Sequence, residues 1–452
     1  MEEVMTLDTI IVFILFFISL LFSIYHDISI IYSLLLGLIC FSLLSLRRGY
    51  TVTNLLHMMM IGSKKSLIVI KIFVLIGAIT AVWRASGTIS FIVYYAIAFV
   101  SAKYFILSAF LLCCLVSFLL GTSFGTVGTI GVVLMVLAKG GSVDINMTAG
   151  AIIAGAYFGD RCSPMSSSAN LIASLTDTKL YININNMMKT STLPFILSII
   201  GYTYLSNANP LSFYDTQMTD EILKSFDISI ITLFPAAIIL LLAAFRIDVK
   251  LSMGISILSG ILIGLYVQHL SISQMATYIM TGYTMEQGGF FANIIQGGGL
   301  YSMLKVALIV LISSSYSGIF EGTGLLQPIE QFFERLSEKI SVYPTTILSS
   351  IATAAFSCNQ TLAVMLTHQF AYKIYKKKQR NKYQLALDME NTVILLSAVI
   401  PWNIAGAVPA AALATDSAFI PYAFYLFLVP LVNLFFSCKV NHSTIDSNTT
   451  SE

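Results

Sequence analysis

The chain has 452 residues, of which 57% are apolar and only 10% charged, with a net charge of +2. Soluble globular proteins carry about 25% charged residues, so this composition, with a mean hydropathy of +0.86, is that of a polytopic all-α membrane protein. The near-neutral charge gives no reason to propose a nucleic-acid partner, and the six cysteines show neither CxxC nor zinc spacing and read as membrane-packed thiols.

In chain order, the N-terminal MEEVMTLD is acidic and lacks a small-residue cleavage pattern, so the first apolar run, within a helix ending near residue 27, reads as a signal anchor. Segments at 8–24, 28–46, 67–83, 187–205, 228–245, 251–269, 303–320 and 418–437 are each long enough to cross a hydrocarbon core about 30 Å thick. Apolar stretches at 86–138, 148–158, 344–370 and 391–413 are interrupted by Gly, Pro, Ser, Thr or Asn. Ten full crossings are expected, with 105–138 and 344–370 as re-entrant or broken hairpins. Basic residues at 47–71 and in AYKIYKKKQRNKYQ (371–384) place those regions in the cytoplasm. The Lys/Arg-free 251–304 and the acidic 206–227 belong outside. Both termini are then cytoplasmic, and 438–452 reads as a disordered tail.

The two halves resemble each other weakly. Gly87 and Gly324 lie 237 residues apart, Ser123 and Cys358 235, and Asp160 and Glu390 230. Matching loops carry opposite charge character, as inverted-topology repeats require. The first repeat spans 28–205, an external linker 206–226, and the second repeat 227–437. Such a chain with discontinuous helices points to a secondary transporter whose site lies between the repeats.

The stretch GDRCSPMSSSAN (159–170) ends an apolar run. Pro164 lacks an N–H and disfavours helix at Ser163, so the helix unwinds and its freed carbonyls must be buried or wetted; a bound cation satisfies them. Asp160 supplies a carboxylate, and Ser163, Ser166, Ser167, Ser168 and Asn170 supply neutral oxygens that suit an alkali cation. Burial disfavours the charged form of Asp160 and Arg161 beside it favours that form; if the two nearly balance, proton and metal ion can exchange there. The bland alternative is an Asp160–Arg161 ion pair at a helix end. Thr122, Ser123, Thr126 and Thr129 in GTSFGTVGTIG face this break from the first half, with helix-packing glycines as the alternative. The second half offers Asn359, Gln360, Thr361, Glu390, Asn391, Thr392, Ser397 and Asn403, with Glu390 as a cytoplasmic-surface carboxylate the competing reading.

Gly121 to Gly125 also matches G-x-S-x-G, but without the strand-to-helix elbow and acid a hydrolase needs, so no enzyme is expected. A channel would present an oligomeric filter repeat instead. FFERLSEKI (332–340) reads as a surface amphipathic helix, and GYTMEQGGFFANIIQGGG (282–299) as an external loop.

GTSFGTVGTIGV, AGAIIAGAYFGDRCSPMSSSANLIASLT, SAVIPWNIAG and VLIGAITAVWRASGTI together resemble the signature stretches of the NhaC-type sodium/proton antiporters, over about residues 28–437. That resemblance implies exchange of sodium for protons across a bacterial cytoplasmic membrane, with Thr122, Ser123, Asp160, Ser163 and Asn403 at motif positions. The chain departs from the family pattern at Asn359 and Asn391, where acids are expected, and at Gly297, where an Arg is. Some relatives exchange organic acids as well, so an organic acid or amino acid remains an alternative solute. No prosthetic group is expected. The partners are the transported sodium and protons and the lipid bilayer, with a homodimer as the candidate assembly.

Overall fold

The computed structural model describes residues 2–26, 28–99, 102–211, 217–245, 247–285 and 290–448. Among them the chain is helix and turn, apart from an isolated bridge between Tyr283 and Gly297. Among the described residues six helices are long and apolar enough to cross a membrane, and nine if each sharply bent pair counts as one span, against the ten crossings expected. The outward faces of Leu7–Tyr25 and Ile30–Arg47 present Ile11, Ile14, Phe22, Ile39 and Leu43. Such continuous apolar surface belongs against lipid. The chain is a multi-pass membrane protein.

Two long helices, Val52–Ala85 and Leu304–Thr323, pack at the centre. They touch backbone to backbone: a Cβ added at Gly62 would lie 2.0 Å from the Ser314 carbonyl oxygen, and one at Gly318 2.1 Å from that of Met58. Ser63 and Ser315 hydroxyls, 2.7 Å apart, bridge them. Small residues permit this approach where apolar side chains gain nothing over lipid.

Each half then holds a pair of helices around a sharp break. Phe105–Leu120 ends at Gly121 in the left-handed region, and Thr122, in extended conformation, caps the next helix by accepting from the Gly125 N–H. Val342–Ser357 ends at Cys358, also left-handed, and the extended Asn359 caps Gln360–Lys377 by accepting from the N–H groups of Thr361 and Leu362. A π turn over Val127–Gly131 interrupts the first of these second arms.

Further on, Ile145–Cys162 stops at the extended Ser163 before Pro164, and Ser166 caps Ser167–Leu175. Its counterpart stops at the extended Ile400 before Pro401, and Asn403 caps Ile404–Ala412. The left-handed turns at Gly87, Gly121, Ser142 and Asp177 recur at Gly324, Cys358, Gln379 and Ala414, each 237 residues later. The two prolines and the caps Ser166 and Asn403 keep that same spacing. At that spacing Asp160 falls opposite Ser397 rather than Glu390, and Ser123 opposite Gln360 rather than Cys358.

Three stretches carry helix where the sequence predicts a linker, a disordered tail and a loop. Gln217–Ser225, within the expected linker, is helical. The helix Phe424–Asn448 runs through most of the expected disordered tail, no Gly or Pro following Pro430 to stop it. The expected loop 282–299 contains the short helix Phe290–Ile295, and its end packs on Val52–Ala85, the Gly299 N–H donating to the Gly77 carbonyl at 2.9 Å; a Cβ at Gly298 would lie 2.8 Å from the Ala81 backbone N, so glycine there permits the approach. Residues 286–289 and 449–452 lie outside the described residues.

Candidate functional site

Asp160 is positioned by the glycines before it. Gly155 and Gly159 press Ile145–Cys162 onto Phe105–Leu120, so that a Cβ at Gly159 would fall 2.0 Å from the Ser117 carbonyl carbon. Ser117 cross-links the pair: its hydroxyl donates to the Gly155 carbonyl at 2.8 Å and accepts from the Gly159 N–H at 3.0 Å.

One residue on, Asp160 is 4% exposed. Its Oδ2 accepts from Ser168 Oγ at 3.5 Å and from Gln360 Nε2 at 3.3 Å, and Ser123 lies close by. Both direct contacts are at the long end of hydrogen bonding, so the carboxylate is surrounded without being tightly held. Ser123 and Gln360 each open the second helix of a break. The carboxylate therefore sits before two helix N-termini, one from each half, whose dipoles and free N–H groups favour negative charge.

Arg161 does not pair with Asp160, which overturns the ion-pair alternative. Its guanidinium is fully buried on the opposite side, donating to Ser191, Thr190, the Tyr425 hydroxyl, the Met187 carbonyl and Asn391 Oδ1. Glu390 is likewise no surface residue. It is 0% exposed, neither of its oxygens is hydrogen-bonded, and it feels the charges of both Asp160 and Arg161. A buried carboxylate with no donor bears a desolvation cost that a proton or a cation removes.

The remaining candidates chiefly hold the breaks in shape. Ser163 Oγ donates to the Phe118 carbonyl at 2.7 Å and accepts from the Met165 N–H. Ser166 donates to the Asp160 carbonyl, so that freed oxygen is met by a hydroxyl. Asn170 donates to the Ser166 carbonyl at 2.7 Å on the exposed face of its helix. Thr126 donates to the Thr122 carbonyl at 2.8 Å. Asn403 donates to the Ala354 carbonyl at 2.8 Å and caps through Ala405, tying one break to the other. The structure thus brings Asp160, Ser123, Ser168, Gln360 and Glu390 together and leaves Thr122, Thr126, Ser163, Ser166, Asn170, Asn359 and Asn403 as local caps and braces.

Sequence reasoning missed Asp388. It is 4% exposed, with the Tyr375 hydroxyl 2.5 Å from Oδ2 and Gln384 Nε2 2.8 Å from Oδ1. It lines a cavity of about 230 Å³ with Arg380, Gln384, Tyr343, Thr190 and Asn391, on the side of the basic 371–384 loop. It follows the basic 371–384 loop by only four residues; the signal available was an acid amid Leu385, Ala386, Leu387 and Met389.

The chain matches the model of the Na+/H+ antiporter family over residues 4–169 and 155–437. It is 30% identical over 383 residues to the Na(+)/H(+) antiporter NhaC of Alkalihalophilus pseudofirmus, covering 83% of this chain and 82% of that one. It is also 30% identical to the NhaC of Bacillus subtilis over 382 residues, 82% of this chain and 84% of the relative. The Malate-2H(+)/Na(+)-lactate antiporter of Bacillus subtilis is 27% identical over 418 residues, 90% and 88% of the two chains. A buried acid between broken helices, carried on a family match that spans most of the sequence, leaves one conclusion: the chain belongs to the Na+/H+ antiporter family.

Proposed function

We propose that Asp160 is the group at which the sodium and the proton compete. The protein is a secondary transporter that exchanges sodium for protons. Asp160 holds one or the other, because two cations cannot share one carboxylate. Ser123, Ser168 and Gln360 supply the neutral groups around it: the Ser123 and Ser168 hydroxyls and the Gln360 amide oxygen turn to a bound sodium, and their hydrogens to a free carboxylate. Glu390 answers the net charge left when Asp160 changes partner. The cavity beside Asp388 lies on the basic-loop side, which the excess of Lys and Arg assigns to the cytoplasm.

The halves form inverted-topology repeats that move against each other around this site, in the cytoplasmic membrane with both termini inside. The common spacing of 237 between left-handed turns supports that reading, as does the meeting of Ser123 and Gln360 from opposite halves at one carboxylate. The observation that carries the assignment is the burial of Asp160 before two helix N-termini. In sealed proteoliposomes, sodium drives proton efflux through the wild type, and Asp160→Asn abolishes it while the variant still inserts and elutes as the parent does. A neutralised variant that exchanges as fast as the wild type defeats the assignment. A second reading, coupled organic-acid transport on the same fold, is favoured by the likeness to the malate/lactate antiporter; proton movement that requires an organic acid as well as sodium would select it.

A further inference from the structure

Away from Asp160, a cavity of about 330 Å³ lies between Val52–Ala85, Val132–Gly140, residues Ile294 and Gln296 to Gly298, and the turn at Leu413–Ala414. Arg84 and Lys139 line it, and no described lining residue is acidic. Arg84 is 7% exposed. Its Nη1 donates to the Thr80 carbonyl at 2.7 Å, within its own helix, and its Nε is buried with no acceptor. Lys139, half-buried, is close enough to feel the Arg84 charge. Two like charges facing one enclosed space are held there at a cost, which an anion between them would remove.

We infer that this cavity is a binding site for a small organic carboxylate, its carboxylate held by the Arg84 guanidinium and Lys139. The planar guanidinium matches a carboxylate with two parallel N–H bonds. Thr281, Ser302 and Gln296 add polar groups around it, while Val132, Met135 and Val136 line an apolar wall for the carbon skeleton. The volume is roughly ten times the ~30 Å³ share of one water, so a chloride ion alone would leave most of the space and all of the apolar wall unused. Asp160 does not line this cavity, so the site stands apart from the cation exchange and would serve either a carried solute or one that regulates exchange.

The test is equilibrium binding of radiolabelled succinate to the purified full chain in nanodiscs, at fixed pH and sodium chloride. The wild type should bind saturably, Arg84→Gln should weaken binding at least tenfold, and Lys139→Gln, at the partly exposed rim, several-fold. Asp160→Asn should bind within twofold of wild type, so that failure of the cation-site assignment and failure of this one are separable. Arg84→Lys, which keeps the charge and loses the fork, should bind between wild type and Arg84→Gln. Absence of saturable binding by the wild type, unchanged binding by Lys139→Gln, or displacement of succinate by chloride at equal concentration would each overturn the proposal.

Discussion

Two neighbouring residues, Asn359 and Gln360, do different work. Asn359 Oδ1 caps the N–H groups of Thr361 and Leu362, whereas Gln360 Nε2 reaches across to Asp160 and to the Ile394 carbonyl. Asn359→Ala should therefore lower stability by about 1 kcal/mol, read as a lower melting temperature, with the sodium half-saturation unchanged. Gln360→Ala removes a bond to an ionised group, about 1.5–3 kcal/mol, and should raise the sodium half-saturation roughly tenfold with little change in melting temperature. If the two profiles are exchanged, cap and ligand have been assigned the wrong way round. Glu390→Gln is the third residue-level case: its side chain makes no hydrogen bond to lose, so fold should survive, and a fall in exchange rate without a fall in stability would mark it as part of the charge-handling group. An unchanged rate would remove it from that group.

Among the elements, the glycine faces carry the heaviest demand. Gly159 lies against the Ser117 backbone and Gly318 against Met58, and backbone on both sides leaves no flexible side chain to give way. Gly159→Val should separate the Asp160 helix from Phe105–Leu120, losing sodium-driven exchange. Gly318→Leu should disrupt the central pair and reduce the amount of folded protein recovered from the membrane by several-fold. Recovery and exchange equal to wild type in either variant would show that these helices part more easily than their contacts imply. The breaks follow the same logic: Gly121 has φ +66 and a Cβ there would lie 2.5 Å from the Met165 backbone, so Gly occupies the turn in the first half. Cys358 takes the same left-handed conformation in the second, with the Tyr316 hydroxyl 2.6 Å from its Sγ.

For the molecule as a whole, the recurring turns give a test of topology. Ser142 and Gln379 are exposed residues in left-handed turns, each following the second helix of a break and 237 residues apart. In inverted repeats they lie on opposite sides of the membrane. With the native cysteines replaced, Ser142→Cys should react with a membrane-impermeant thiol reagent in intact cells, and Gln379→Cys only after the membrane is opened. Labelling of both from one side would rule out inversion.

Much of this is legible in the sequence. Low charge and long apolar runs require a membrane, since so little polar surface could not solvate a fold of this size. Pro164, Pro401 and the hydroxyl-rich interruptions mark the breaks because backbone that cannot continue a helix must find partners in place. Asp160 stood out because a lone acid at such a break is costly unless it is used. What the chain alone could not decide was which oxygens meet at that acid. Ser, Thr and Asn serve equally as helix caps and as ligands, and only the crossing of the two halves shows that Ser123, Ser168 and Gln360 face the carboxylate while Ser163, Ser166 and Asn403 are spent on the backbone. Nor could it decide that Arg161 turns from its neighbour toward Asn391, or that Glu390 and Asp388 are buried. Successive helix positions point about 100° apart, so the surroundings of each depend on what packs against that face, and this is set in part by contacts between residues as far apart as Arg161 and Asn391.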